Sequence, residues 1–297
     1  MQSDNGSQLM AVQDNSTGTK VKNGILGCVI NVVLWLFSAM CIFPLVWMLY
    51  SSLKNKREFN ASIITLPSKP TLDNYFKIFA NKDANLIGAM GNSVRTTLLS
   101  VLLIVLFAFI VGYILARVNF RLNRPLYVMF LMGMLIPIHS LLVPIYIIFN
   151  RTDMANQWYT LLFPYVAFNL PVSLFLVEGY VKGIPLELEE AASIDGSAFS
   201  RTMFSIILPI CKPILTTVAI INVFSCWNEF SFALVLISNN KAIATVPLAL
   251  KNFTGQFTSD YPKMMAAMLI TMAPVVILYF IFSKQIIKGM VAGAVKG

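Results

Sequence analysis

Hydrophobic and polar positions in this chain alternate in long blocks, without the short periods of a soluble fold. Apolar stretches of about twenty residues, the number needed to cross a hydrocarbon core about 30 Å thick, recur near 25–50, 93–116, 126–149, 158–180, 213–237 and 264–284. The pattern predicts an all-α integral membrane protein with a transmembrane domain over 25–284 and six crossing helices. Pro164, Asn169 and Pro171 interrupt the fourth stretch. It is expected to be a broken helix, tolerated where neighbouring helices or a wet cavity satisfy the freed backbone groups.

The composition excludes a soluble domain: 57% of the 297 residues are hydrophobic and 12% charged, with a mean hydropathy of +0.74. The net charge of +9 does not point to nucleic acid, because Lys and Arg flank spans wherever cytoplasmic loops retain them. The short turn from Arg117 through Arg121 to Arg124 carries three basic residues and no acid. It favours a cytoplasmic N-terminus. Both termini and the polar island at 181–212 then face the cytoplasm. Residues 1–24 are polar and predict a disordered cytoplasmic tail, since the apolar run after them is far longer than a signal-peptide core. Residues 285–297 form the other cytoplasmic tail. Cys28, Cys41, Cys211 and Cys226 lie in or against the spans with no paired spacing, and are read as small apolar fillers.

The polar island has its own logic. Pro185 suits a first helical turn, and Glu187, Glu189 and Glu190 place negative charge where it complements the helix dipole. A short helix over 186–195 follows. Gly196 supplies its stop, because it adopts a positive φ without a Cβ clash, and a second short helix is expected from Ser197 or Ala198. Leu188, Ala191, Ala192 and Ile194 give the hairpin an apolar surface that a solvated loop would not need. An interfacial segment lying on the bilayer would also be amphipathic, but acids at the helix start and few basic residues argue against adhesion to an anionic leaflet.

In spacing, Glu190-Ala191-Ala192-Ser193-Ile194-Asp195-Gly196, nine residues and then Ile206-Ile207-Leu208-Pro209 resembles the EAA-x3-G-x9-I-x-LP loop of the membrane subunits of binding-protein-dependent ABC importers. Thr71-Leu72-Asp73-Asn74-Tyr75, Asn92-Ser93, Tyr113-Ile114-Leu115-Ala116-Arg117, Trp227-Asn228 and the C-terminal Gly293-Ala294-Val295-Lys296-Gly297 are similar to one branch. That branch comprises the carbohydrate-importer subunits related to the maltose transporter's smaller membrane subunit. The resemblance implies a type I ABC importer permease fold with a cytoplasmic coupling-helix hairpin, in a bacterial or archaeal cytoplasmic membrane. It assigns Glu190, Ala191, Ala192, Asp195, Gly196, Leu208 and Pro209 to coupling with an ATPase. It also sends Gly293, Ala294, Val295, Lys296 and Gly297 into the interface between two ATPase subunits.

The partners so implied are a second homologous permease subunit, two ATP-binding subunits, an extracellular sugar-binding protein and the lipid bilayer, with no nucleic acid. This chain has no G-x-x-x-x-G-K-[ST] loop to cradle a nucleotide. ATP and Mg would be bound by the partner ATPase, and no cofactor by this chain. The solute expected from family habit is a sugar, an oligosaccharide in particular. A non-sugar importer of the same superfamily is the alternative.

Polar groups inside a membrane are costly and are candidates for function. Here they include His139, Asn169, Asn228 and Glu229, while Glu178 and Lys182 read as an i,i+4 ion pair. Trp227 and Phe230 beside Asn228 and Glu229 suit sugars, whose faces are apolar and whose hydroxyls need hydrogen bonds, and also fit ordinary helix packing. The candidate translocation path is Trp227, Asn228, Glu229 and His139. His139 is either satisfied by a carbonyl or a water, or lines the path. A secondary transporter relaying protons through Glu229 and His139 would be thinly supplied with titratable groups. No similarity between 25–149 and 158–284 suggests the internal repeat common in such folds. No nucleophile with its base, metal cluster or catalytic carboxylate pair is evident, so the chain is expected to be non-catalytic.

Overall fold

The computed structural model describes residues 5–80, 85–251 and 260–294, with side chains over 27–80, 85–251 and 260–283. Every regular element among the described residues is helical. The chain divides into two compact units, 1–71 and 72–297.

In the first unit, α1 (Asn5–Ser52) contains the membrane-length stretch Gly27–Ser52. Its backbone is helical from Asn5, where the polar composition of 1–24 predicts a disordered tail. Trp35, Leu36, Phe37 and Met40 are exposed on the apolar stretch, a face suited to lipid or another apolar surface. The segment after α1 folds back on the helix end. There α2 (Lys56–Ala61) starts at Asn55, whose side chain accepts a hydrogen bond from the Glu58 N–H. Trp47 Nε1 donates to the Ile63 carbonyl at 3.1 Å and Tyr50 Oη to that of Ile64 at 2.7 Å. Lys54, a loop cation by sequence, is buried, with Nζ 3.0 Å from the Ser62 carbonyl.

The second unit opens with α3 (Asp73–Ala80) and α4 (Leu86–Arg117), followed by α5 (Asn123–Gly133), α6 (Ile138–Arg151) and α7 (Leu162–Lys182). The polar island forms α8 (Glu187–Ile194), α9 (Phe199–Arg201), a π-helical stretch Thr202–Ile207 and α10 (Leu208–Ile210). Then come α11 (Lys212–Trp227), α12 (Ser231–Leu236), α13 (Val246–Lys251) and α14 (Tyr261–Ala294). The long α4 is the spine of this unit and packs against α7 and α11. Ala108 and Gly112, one turn apart, are buried against α7. A Cβ added at Gly112 would lie 3.1 Å from Val177 Cγ1 and 3.3 Å from the Glu178 backbone nitrogen. Small residues at this spacing let helix backbones approach closely where no hydrophobic effect drives helices together.

Three buried clusters line up along α4. At its C-terminal end, Phe109, Tyr113, Val177, Val181, Met203, Ile207 and Cys211 pack together. In the middle, Ile104 meets Tyr165, Cys226, Phe232 and Leu236. At its start, Leu86 and Ala89 meet Ile78, Ala249, Ala266 and Ala267. Cys211 and Cys226 thus fill cores as small apolar residues, whereas Cys28 and Cys41 are exposed on α1.

Three of the expected spans differ in form. Four helices are long and apolar enough to cross a membrane, or up to six if each of two bent pairs counts as one span. The stretch 126–149, expected to be one helix, is α5 and α6 at 100° to each other. Pro137 has no N–H to continue the α5 ladder and its ring opposes the preceding turn. The stretch 213–237 stops at Trp227, and Asn228 to Phe230 separate α11 from α12. The fourth stretch, expected to be broken, is continuous through Pro171 as α7. Pro164 falls in its first turn. Farther along, the Asn169 amide donates to the Tyr165 carbonyl and the Ser173 hydroxyl to the Asn169 carbonyl, both at 2.8 Å, so side chains supplement the ladder around the proline.

Candidate functional site

The hairpin built by the polar island is held on one side and open on the other. Its first helix α8 carries three acids in the first turn, and they do different things. Glu189 turns inward: its two carboxylate oxygens accept from Arg117 Nε at 2.6 Å and from Tyr113 Oη at 2.8 Å. Arg117 also donates through Nη2 to the Ile184 carbonyl at 2.6 Å. The Arg117 and Glu189 side chains are only 7% and 16% exposed. Glu187 and Glu190 face solvent. One basic residue of the short turn that the charge pattern had assigned to a cytoplasmic flank is therefore a buried structural partner.

Gly196 ends α8 with φ +78°. The Ser197 N–H reaches the Ala192 carbonyl at 2.9 Å and the Gly196 N–H reaches that of Ser193 at 3.0 Å, the paired bonds of a Schellman stop. The expected helix and glycine stop are therefore present within a residue of their sequence bounds. Ala192 is buried beneath the turn, while Ala191, Ile194 and Asp195 are exposed. Ile194 is 86% exposed, with Leu186, Leu188 and Phe199 also open. Apolar side chains at a tip this accessible form a surface with no covering layer among the described residues.

The second limb connects the hairpin to α11. In the π-helical stretch the Leu208 N–H donates five residues back, to the Met203 carbonyl. Pro209, lacking an N–H, cannot restore the α-helical register at the next step. After Ile210 the path bends by 74° into α11, with Pro213 in the first turn where its missing N–H costs nothing. Leu208 is half-buried and Pro209 exposed. The two motif positions thus shape the junction between hairpin and span.

A second polar feature runs between α7 and α11. The Ser225 hydroxyl donates to Asn169 Oδ1 at 2.7 Å, and Asn222 Nδ2 donates to Ser173 Oγ and to the Val218 carbonyl, each at 2.8 Å. Asn169, Ser173, Asn222 and Ser225 line a cleft of about 130 Å³ with Val172, Leu176, Val218 and Ile221. Farther along, Glu229 accepts from the Phe232 N–H at 2.8 Å, the Ala233 N–H at 3.3 Å and the Tyr165 hydroxyl at 3.2 Å. It caps α12, so the carboxylate that needed a partner in the membrane finds one in a helix N-terminus.

Of the four candidate path residues, Asn228 is exposed, Glu229 half-buried at the end of this polar seam, and Trp227 buried. His139 is exposed in the first turn of α6, on a different element. The expected Glu178–Lys182 ion pair is present on α7. Sequence reasoning passed over Ser173, Asn222 and Ser225. The signal was available as small polar residues on facing turns of two apolar stretches, but only the pairing of α7 with α11 makes them a group. In the sequence Tyr113 is only part of a resemblance and Arg117 also a cytoplasmic flank, and neither reads as a partner of the hairpin. Of the C-terminal group, Gly293 and Ala294 end the α14 backbone, and Val295, Lys296 and Gly297 lie outside the described residues. Among the described residues no cluster of three or more His, Cys, Asp or Glu could hold a metal.

Residues 104–291, which include the hairpin, the clamp that Tyr113 and Arg117 form on Glu189 and the seam, match the family described as binding-protein-dependent transport system inner membrane component. The chain belongs to that family. This permease is 39% identical over 255 residues to an ABC transporter permease protein of a Caldicellulosiruptor strain, covering 86% of this chain and 91% of that one. It is 33% identical over 268 residues to the multiple sugar-binding transport system permease protein of Streptococcus mutans, covering 89% and 95%. Its fold matches a chain in the crystal structure of a bacterial ABC transporter involved in the import of the acidic polysaccharide alginate. The TM-score is 0.78 at 20% identity, over 88% of the permease and 96% of that chain. The permease is a multi-pass membrane component of a transport system, and its helical architecture is that of an ABC importer permease.

Proposed function

We propose that this permease is one half of the pore of an ATP-driven importer for a sugar, an oligosaccharide in particular, with the 187–201 hairpin as its contact to the motor. The carrying observation is the hairpin itself: inner side fastened to α4 through Glu189, outer side offering Glu190, Ala191, Ile194 and Asp195. An exposed apolar tip flanked by acids suits insertion into a groove of an ATP-binding subunit. ATP and Mg are then held by two such subunits, because this chain carries no phosphate loop. The remaining partners are a second homologous permease and an extracellular solute-binding protein. The basic 117–124 turn supports placing both termini and the hairpin in the cytoplasm. The resemblance of Gly293 to Gly297 to the family's C-terminal pattern supports a second contact with the ATPase.

Sugar as cargo is supported by the relatives' sugar-transport roles and by the seam's chemistry. Amides and hydroxyls at Asn169, Ser173, Asn222 and Ser225 beside aliphatic side chains suit a neutral solute with hydroxyls and apolar faces. The seam runs from Ser173 to Tyr165 on α7, eight residues or about 12 Å at 1.5 Å per residue, which is longer than one sugar ring. Glu229, bonded to Tyr165, stands at its far end.

The test is uptake by proteoliposomes that hold the purified complex, with labelled oligosaccharides and the binding protein outside and ATP inside. Uptake requiring both ATP and the binding protein is expected. Uptake that persists without ATP and follows a proton gradient would refute the reading in favour of a secondary transporter.

A further inference from the structure

We propose that Arg117 and Tyr113 are positioning residues for energy coupling: they lock the hairpin to the last turn of α4, so that displacement of the hairpin moves the spans instead of flexing the hairpin. The inference rests on the coupling reading above. What singles these residues out is convergence. Three separate segments meet the final turn of α4: the Ile184 carbonyl after α7, the Glu189 carboxylate on α8 and the Phe199 ring on α9.

Arg117 bridges the first two with two 2.6 Å hydrogen bonds. Tyr113 bridges the second and third, its hydroxyl 2.8 Å from Glu189 and its ring centroid 5.5 Å from that of Phe199. Both carboxylate oxygens of Glu189 are therefore occupied from α4. Its neighbour Glu190 points outward, so adjacent acids on one helix face different bodies. A solvated hairpin on flexible strands could be pushed without moving the helix behind it. This one is fastened by charge-assisted bonds shielded from water, which hold geometry more strongly than exposed ones. The same last turn of α4 continues into the close α4–α7 contact at Gly112, so a push at α8 is delivered to that helix pairing.

The experiment compares ATP hydrolysed per sugar imported by the full reconstituted complex carrying Arg117→Ala, Arg117→Lys, Tyr113→Phe or Gly196→Val. Arg117→Ala removes both of its bonds, and loss of the charge-assisted bond to Glu189 is by itself expected to raise the ratio about tenfold. A smaller rise is expected for Tyr113→Phe, which keeps the ring and removes only the hydroxyl. Arg117→Lys should be intermediate, because it keeps the charge and loses the planar fork. A merely structural role would lower the amount of complex and leave the ratio alone. If Arg117→Ala does not assemble, Tyr113→Phe decides. A wild-type ratio in every assembled Arg117 and Tyr113 variant overturns the proposal. Gly196→Val reports separately on the hairpin: if it alone uncouples, the clamp is refuted and the coupling reading stands, and if it has no effect the coupling reading itself is refuted.

Discussion

Gly196 gives a graded test of the hairpin because its backbone and its surroundings make separate demands. Its φ is +78°, yet a Cβ built there meets nothing within 4 Å. Substitution therefore brings no clash, and its cost is the backbone term alone, roughly 1–2 kcal/mol for an ordinary L-residue in the left-handed region. Asn adopts that region more readily, and a β-branched residue least. The two bonds that depend on this conformation, Ser197 N–H to Ala192 and Gly196 N–H to Ser193, fix the angle between α8 and α9. A cost of 1–2 kcal/mol reduces the population with the native turn by about 5- to 30-fold relative to alternatives. The expected order of coupling is Gly, then Asn, then Ala, then Val. The assay is ATP hydrolysis stimulated by loaded binding protein in the reconstituted complex, normalised to assembled complex. Equal stimulation for the Asn and Val variants would refute the reasoning, because only the φ preference distinguishes them at an open site.

Two further outcomes concern the packing that carries the site. Gly112→Ala should lower the thermal stability of the purified complex by the equivalent of about 1–3 kcal/mol, since the added methyl would approach the Glu178 backbone at 3.3 Å, while Gly179→Ala, opening onto empty space, should not; equal melting temperatures would mean that the α4–α7 approach is not tight. Glu229→Ala should cost about 1–3 kcal/mol by leaving the Phe232 and Ala233 N–H groups without their acceptor, and Glu229→Gln appreciably less, read from the same melting curves; a Gln variant as unstable as Ala would mean that the capping bonds are not what holds this corner.

The hydrophobic blocks, the acid-led helix at 187 and the stop at Gly196 were legible in the sequence because each rests on local physics. A helix long enough for a bilayer needs only a run of apolar residues, and a Schellman stop needs only a residue that tolerates positive φ. The pattern could not decide where a proline bends a span. Pro137 accompanies a 100° turn while Pro171 sits inside a continuous α7. The difference lies in neighbours: Asn169 and Ser173 supplement the backbone bonding around Pro171, and whether such side chains point back along their own helix depends on what packs beside it. In the sequence Glu229 is a costly intramembrane acid, and only the fold supplied Tyr165 and the start of α12 as its partners. The same holds for the clamp. Glu189 lies 72 residues from Arg117 and 76 from Tyr113, and nothing in either local sequence shows that one acid of a solvated-looking run turns inward. Local propensity and hydrophobic length determined the elements. Long-range packing determined which polar groups are buried, and with that which residues join the hairpin to the membrane.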